Sequence, residues 1–167
     1  MRFTGAEQAV KFAHNIAARE IASRPSMVPT IHATSQEGLS PHELHAQAAL
    51  ILQALNRLPE LERNAVNAVL APDQEALQAA RQAVEGLWPR VQSRVPSKNA
   101  AYDVLRLWLR RGAYSEVRKM CADYHVGPNK VVKWRSDVAT AFSAVYLRGI
   151  LLLEADLFRA GGLELKT

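Results

Sequence analysis

Apolar residues recur every three to four positions along most of this 167-residue chain, the spacing that gives an α-helix one water-avoiding face. Near the N-terminus, Ala9, Phe12, Ala13, Ile16, Ala17 and Ile21 keep that period. Thr4-Gly5-Ala6-Glu7 ahead of them has the capping-box pattern, with Thr4 capping the helix start and Glu7 reaching back. Pro25 is expected to end this helix, and residues 25–39, with Pro25, Pro29, Gly38 and several Ser and Thr, read as a linker or long loop. A second capping box, Ser40-Pro41-His42-Glu43, opens a helix with the stripe Leu44, Ala48, Ile51, Leu52 and Leu55.

Pro59 opens a further helix carrying Leu61, Ala65, Val66, Val69 and Leu70. Another is predicted over residues 73–87, with Leu77, Ala80, Val84 and Leu87 inward. Pro89 and Pro96 bracket a short basic connector. Ser97 or Asn99 then caps a helix containing Val104, Leu105, Trp108 and Leu109, which Gly112 stops. Residues 91–95 are too short and too isolated to form a sheet. The chain is therefore expected to be all-α with six to eight helices. Its predicted organisation is an N-terminal helix (1–24), a linker (25–39), a helical body (40–97) and a basic C-terminal module (98–167).

The most informative stretch is residues 117–134, VRKMCADYHVGPNKVVKW. Two helices packed across a tight turn need an apolar stripe on the first, a small residue at the contact, and a plug inside the turn. Val117, Met120 and Tyr124 supply the stripe, Cys121 or Ala122 the small contact, and Val126 the plug. Val131 and Trp134 form the returning face. His125 occupies the place where a left-handed backbone is commonly required, a conformation histidine tolerates. Gly127 caps the second helix and Pro128 suits its first position. The alternative is an ordinary helical hairpin.

At about 100° per residue, Val131, Trp134, Val138, Phe142 and Val145 share one arc, with Asn129, Lys133, Ser136 and Asp137 opposite. Lys130 and Val132 fall at the edges. Ala141, Phe142, Val145, Tyr146, Ile150, Leu153 and Leu157 continue the apolar phase to Ala160, where Gly161-Gly162 ends it, and Gly149 is expected to break or bend the helix. That extension suits internal packing or pairing with a second copy.

Charge gives this region a meaning beyond packing. The chain holds 21 Lys and Arg against 16 Asp and Glu, a net of +5. Residues 1–97 carry nine basic and nine acidic side chains, residues 98–148 ten and four, and residues 149–167 two and three. A surplus confined to about a third of the chain points to an acidic partner. In a helix placed in the DNA major groove, residues near its N-terminus touch base edges. Asn129 suits adenine, Lys130 and Lys133 suit guanine or phosphate, and Val132 can pack on a thymine methyl. Arg110, Arg111, Arg118, Lys119 and Arg135 are better placed for phosphates, as is Ser115 at the start of the first motif helix. The bland alternative is a solvated helical surface.

The spacing of residues 117–134 resembles the helix-turn-helix superfamily, with histidine in place of the usual turn glycine. The stretch from Tyr114 through the helix after Pro128 is similar to the promoter-contacting region 4 of bacterial sigma factors and to the C-terminal part of Q-type phage antitermination proteins. The resemblance covers about a third of the chain, and nothing in residues 1–97 carries it. It implies promoter-proximal double-stranded DNA and RNA polymerase as partners, in a bacterial or phage-infected cell. A packaging or assembly protein and a protein-interaction adaptor are the alternatives.

Other chemistry is less well supported. His42 and His45 in HELH share a helix face, but two ligands are too few and the pattern is not HExxH. Cys121 and His125, one turn apart, could pair as thiol and base, yet a small packed residue explains the cysteine with fewer assumptions. Trp108 and Trp134 lie on apolar phases and are expected in the core; Trp88 is less constrained. No P-loop, dinucleotide fingerprint or nucleophile elbow is present, so neither an enzyme nor a cofactor is expected. The single cysteine suits a reducing compartment. The first ten residues lack a signal-peptide core, and the longest aliphatic run, residues 150–153, is far short of a membrane span. A cytoplasmic protein without membrane contact is expected.

Overall fold

Helix-forming periodicity carries through to the structure, a computed structural model that describes residues 3–22, 40–110 and 117–160. Seven α-helices account for most of the described residues, with no strand among them: α1 (Ala6–Ala22), α2 (Pro41–Asn56), α3 (Glu60–Leu70), α4 (Asp73–Val91), α5 (Lys98–Leu109), α6 (Val117–Tyr124) and α7 (Pro128–Arg159). The protein is all-α. The expected linker at 25–39, Gly112, Gly161 and Gly162 lie outside the described residues.

The helix starts follow local chemistry. At α2 the capping box forms: the Glu43 amide donates to Ser40 Oγ (3.3 Å) and the Ser40 amide donates to Glu43 Oε2 (2.7 Å). Hydrogen bonds from the Ser40 backbone, then from its hydroxyl, hold the Glu43 carboxyl below its ordinary pKa. Ser97 Oγ accepts the Ala100 amide at 3.1 Å, so Ser97, not Asn99, caps α5. At α1 the Thr4 amide and hydroxyl both donate to Gln8 Oε1 (3.1 and 3.0 Å). The first orphan amide of α1, on Ala6, is aimed at Glu154 Oε1 of α7 (3.5 Å).

Two helix ends differ from expectation. Pro89 lies inside α4, which runs on to Val91. A proline in a last turn forfeits one hydrogen bond, and here Leu87 and Val91, both buried, keep the helical phase across it. The α5 helix stops at Arg110, which takes the left-handed conformation (φ 55°, ψ 38°) itself.

The helices form two compact units, one from Met1–Leu58 with Ile150–Thr167 and one from Pro59–Gly149. The boundaries between them fall at Leu58/Pro59 and Gly149/Ile150. The buried set of the first unit mixes alanines (Ala6, Ala9, Ala13, Ala48, Ala54) with larger residues such as Phe3, Ile51, Leu55, Leu153 and Leu157. Phe3 packs on Phe12 with ring centroids 5.2 Å apart. The second unit has a larger core that joins Leu87, Val91, Val104, Leu105, Met120, Val131, Trp134 and Phe142. Trp108 departs from its expected burial: it is 41% exposed and meets Phe142 edge-on at 5.8 Å.

Gly149 neither breaks nor ends α7. A Cβ there would lie 2.9 Å from Val66 Cγ2 and 3.1 Å from the Glu62 carbonyl oxygen. The glycine is needed because α3 and α7 approach closely at that point. Beside it, Arg148 Nε sits 3.4 Å from the buried Glu62 carboxylate.

Candidate nucleic-acid interface

Three residues, His125, Val126 and Gly127, separate α6 from α7. His125 adopts φ 51°. Its amide donates to the Ala122 carbonyl (3.4 Å), and the Val126 amide donates to the Cys121 carbonyl (3.1 Å). That pair of bonds is the Schellman arrangement, which requires a left-handed residue just past the helix end. Histidine fills it without glycine, at a conformational cost of about 1–2 kcal/mol. The Gly127 carbonyl then accepts from Lys130 (3.0 Å) and Val131 (3.4 Å), opening α7.

The two helices meet through their aromatic residues. Tyr124 and Trp134 pack edge-to-face, centroids 6.0 Å apart and planes at 87°. Met120 and Val131 are fully buried and Trp134 nearly so. Cys121 is half-buried against the core whereas Ala122 is exposed, so Cys121 is the small residue at the contact.

A polar network fixes α6 from the other side. The Tyr124 hydroxyl donates to Asp103 Oδ2 on α5. Asp103 Oδ1 lies 3.9 Å from Arg106 Nη1, and Arg106 and Arg81 place their guanidinium carbons 5.2 and 4.9 Å from the Tyr102 ring centroid. The Tyr102 hydroxyl donates to the Leu77 carbonyl of α4 (3.3 Å). No short-range pattern announces this network, because Asp103 and Tyr124 are 21 residues apart.

Asn129, Lys130 and Lys133 are exposed in the first turns of α7, and Val132 is 44% exposed. Val131, Trp134, Val138, Phe142 and Val145 are buried on the opposite side. Ser136 is exposed; Asp137 is only partly so, because its Oδ1 lies 3.4 Å from Arg94 Nη1. Arg118 and Lys119 are exposed on α6, Arg110 is exposed at the end of α5, and Arg135 is half-buried. Arg111 and Ser115 lie outside the described residues. Arg94 itself lies outside residues 98–148, where the basic surplus of the sequence is concentrated.

Farther along α7, Leu147 (58%), Leu151 (66%) and Phe158 (48%) are exposed, with Leu152 beside them. Among the described residues α7 is the one helix whose length and composition would suffice to cross a bilayer, although no purely aliphatic run in it is long. A third of that apolar window is buried in the protein. No group of three or more His, Cys, Asp or Glu able to hold a metal occurs among the described residues.

No protein-family model matches the chain, and no curated protein matches it.

Proposed function

We propose that this protein is a sequence-specific double-stranded DNA-binding regulator of transcription that reads the major groove with the first turns of α7. One observation carries the reading: Asn129, Lys130, Val132 and Lys133 all face solvent directly after a pinned three-residue turn, while Val131 and Trp134 anchor the same turns inward. An amide, two ammonium groups and a methyl surface are the groups that base edges and thymine methyls accept. Arg110, Arg118, Lys119 and Arg135 supply phosphate contacts around them, which orient a protein on DNA without reading its sequence. An antiterminator acting with RNA polymerase is the form of regulator suggested by the likeness of the stretch from Tyr114 through the helix after Pro128.

The test is selection of duplexes from a random library, followed by binding to the winners at several salt concentrations. A consensus of a few base pairs and a steep negative salt slope are expected, about −0.9 per neutralised phosphate. Replacing Asn129, Lys130 and Lys133 together by alanine should abolish the preference. Equal selection by that variant and the wild type would overturn the assignment.

The exposed apolar residues of α7 favour a second reading, a protein-interaction adaptor or phage assembly subunit, because large apolar side chains in water mark contact surfaces. Wild-type protein that ignores duplex DNA even at low salt would favour it.

A further inference from the structure

The connector after α4 brings a charge to α7 from another element. Past Val91 the chain turns, with the Arg94 amide donating to the Val91 carbonyl (2.9 Å). The Arg94 guanidinium reaches α7, where Nη1 lies 3.4 Å from Asp137 Oδ1. Asp137 stands four residues beyond Lys133 and eight beyond Asn129, so the three share one helix face. At 1.5 Å per residue it lies about 6 Å past Lys133 and about 12 Å past Asn129 along the axis. The row of polar groups that begins at Asn129 thus ends in a guanidinium supplied by the α4–α5 connector.

We propose that Arg94 is a phosphate-binding residue of the DNA interface, held beside α7 by Asp137; this rests on the DNA-binding reading above. Asp137 Oδ2 is buried without a hydrogen-bond partner, and the other oxygen faces Arg94. The carboxylate is therefore turned inward and toward its cation, where it aims the arginine. The Arg94 side chain is 59% exposed against 19% for Asp137. One contact through Nη1 leaves the guanidinium's other N–H donors open to solvent, and that fork matches two oxygens of a phosphate. Arg90, exposed in the last turn of α4, adds charge to the same connector. Lys98 is different, because it is committed to Glu85.

Anisotropy of a labelled duplex, titrated at several salt concentrations, tests the assignment with wild type, Arg94→Ala and Arg94→Lys. Losing one phosphate contact should make the slope of log K against log salt shallower by about 0.9 in Arg94→Ala. The loss of affinity should be equal for selected and random duplexes, and Arg94→Lys should restore the slope. A wild-type slope in Arg94→Ala, or an altered base preference with the slope intact, overturns the role of Arg94 alone. Wild-type protein that binds no duplex at low salt overturns the DNA-binding reading and this one together. Circular dichroism melts of the three proteins, each expected to be fully folded at the titration temperature even if Arg94→Ala melts lower for want of a partner to Asp137, exclude unfolding as the cause.

Discussion

The two ends of α7 obey opposite rules. Over residues 128–138 the buried side is complete, with Val131, Trp134 and Val138 inside, and the water-facing side is an amide, lysines and a serine with one apolar residue, Val132, among them. Over residues 147–158 Leu153 and Leu157 are buried as well, but the outward side carries Leu147, Leu151, Leu152 and Phe158. Folding alone asks only that one side be apolar. The first end meets that demand and leaves mainly polar groups of varied chemistry facing outward. The second leaves apolar area in water, which stability does not require.

The sharpest way to break this contrast is to remove its buried anchors. Trp134→Ala should lower unfolding stability by about 3–5 kcal/mol, read by chemical denaturation, because Trp134 joins the Met120–Val131 core and braces Tyr124. A change below about 1 kcal/mol would mean that the start of α7 is not anchored as described. Next in size is Gly149→Ala, which sets a methyl against Val66 and the Glu62 carbonyl, a backbone atom that cannot simply rotate away. It should cost about 1–3 kcal/mol, although alanine is the better helix former.

A smaller effect, of opposite sign, is expected at the turn. His125→Gly should raise stability by up to about 1 kcal/mol, because glycine occupies φ 51° without the crowding a Cβ meets there. A loss of stability would mean that the imidazole contributes more than its backbone costs. The smallest effects belong to the outward residues at both ends. The triple alanine variant of Asn129, Lys130 and Lys133 should stay within about 0.5 kcal/mol of wild type, as should Leu151→Ser. Light scattering then separates the ends: a change of assembly state is expected for Leu151→Ser only if the outer apolar side of residues 147–158 engages a second copy.

Most of the helical framework was legible from local signals. The α2 box, the Ser97 cap and the left-handed His125 each depend on residues within about five positions, so sequence spacing sufficed. The turn after α6 was readable because Val126, Gly127 and Pro128 each have a restricted conformational role. The misreadings share a different cause. The Ala6 amide of α1 is aimed at Glu154 of α7, a partner that the local pattern around Thr4 does not announce. Pro89 reads as a stop until Val91 is seen to be buried. The close approach at Gly149, the Asp103–Tyr124 bond and the Arg94–Asp137 pair join positions 21 or more residues apart, and no periodicity encodes them. Of the interface, the exposure of Asn129, Lys130 and Lys133 follows from helical phase, whereas the contribution of the α4–α5 connector does not.

Cys121, which bears the protein's sole thiol, sits half-covered one turn before the left-handed residue, and its backbone carbonyl accepts from the Val126 amide. A maleimide label would therefore attach at a single address. Its rate of attachment would time how often α6 lifts from its bed, and slower labelling on duplex DNA would report ligand engagement without any added reporter group.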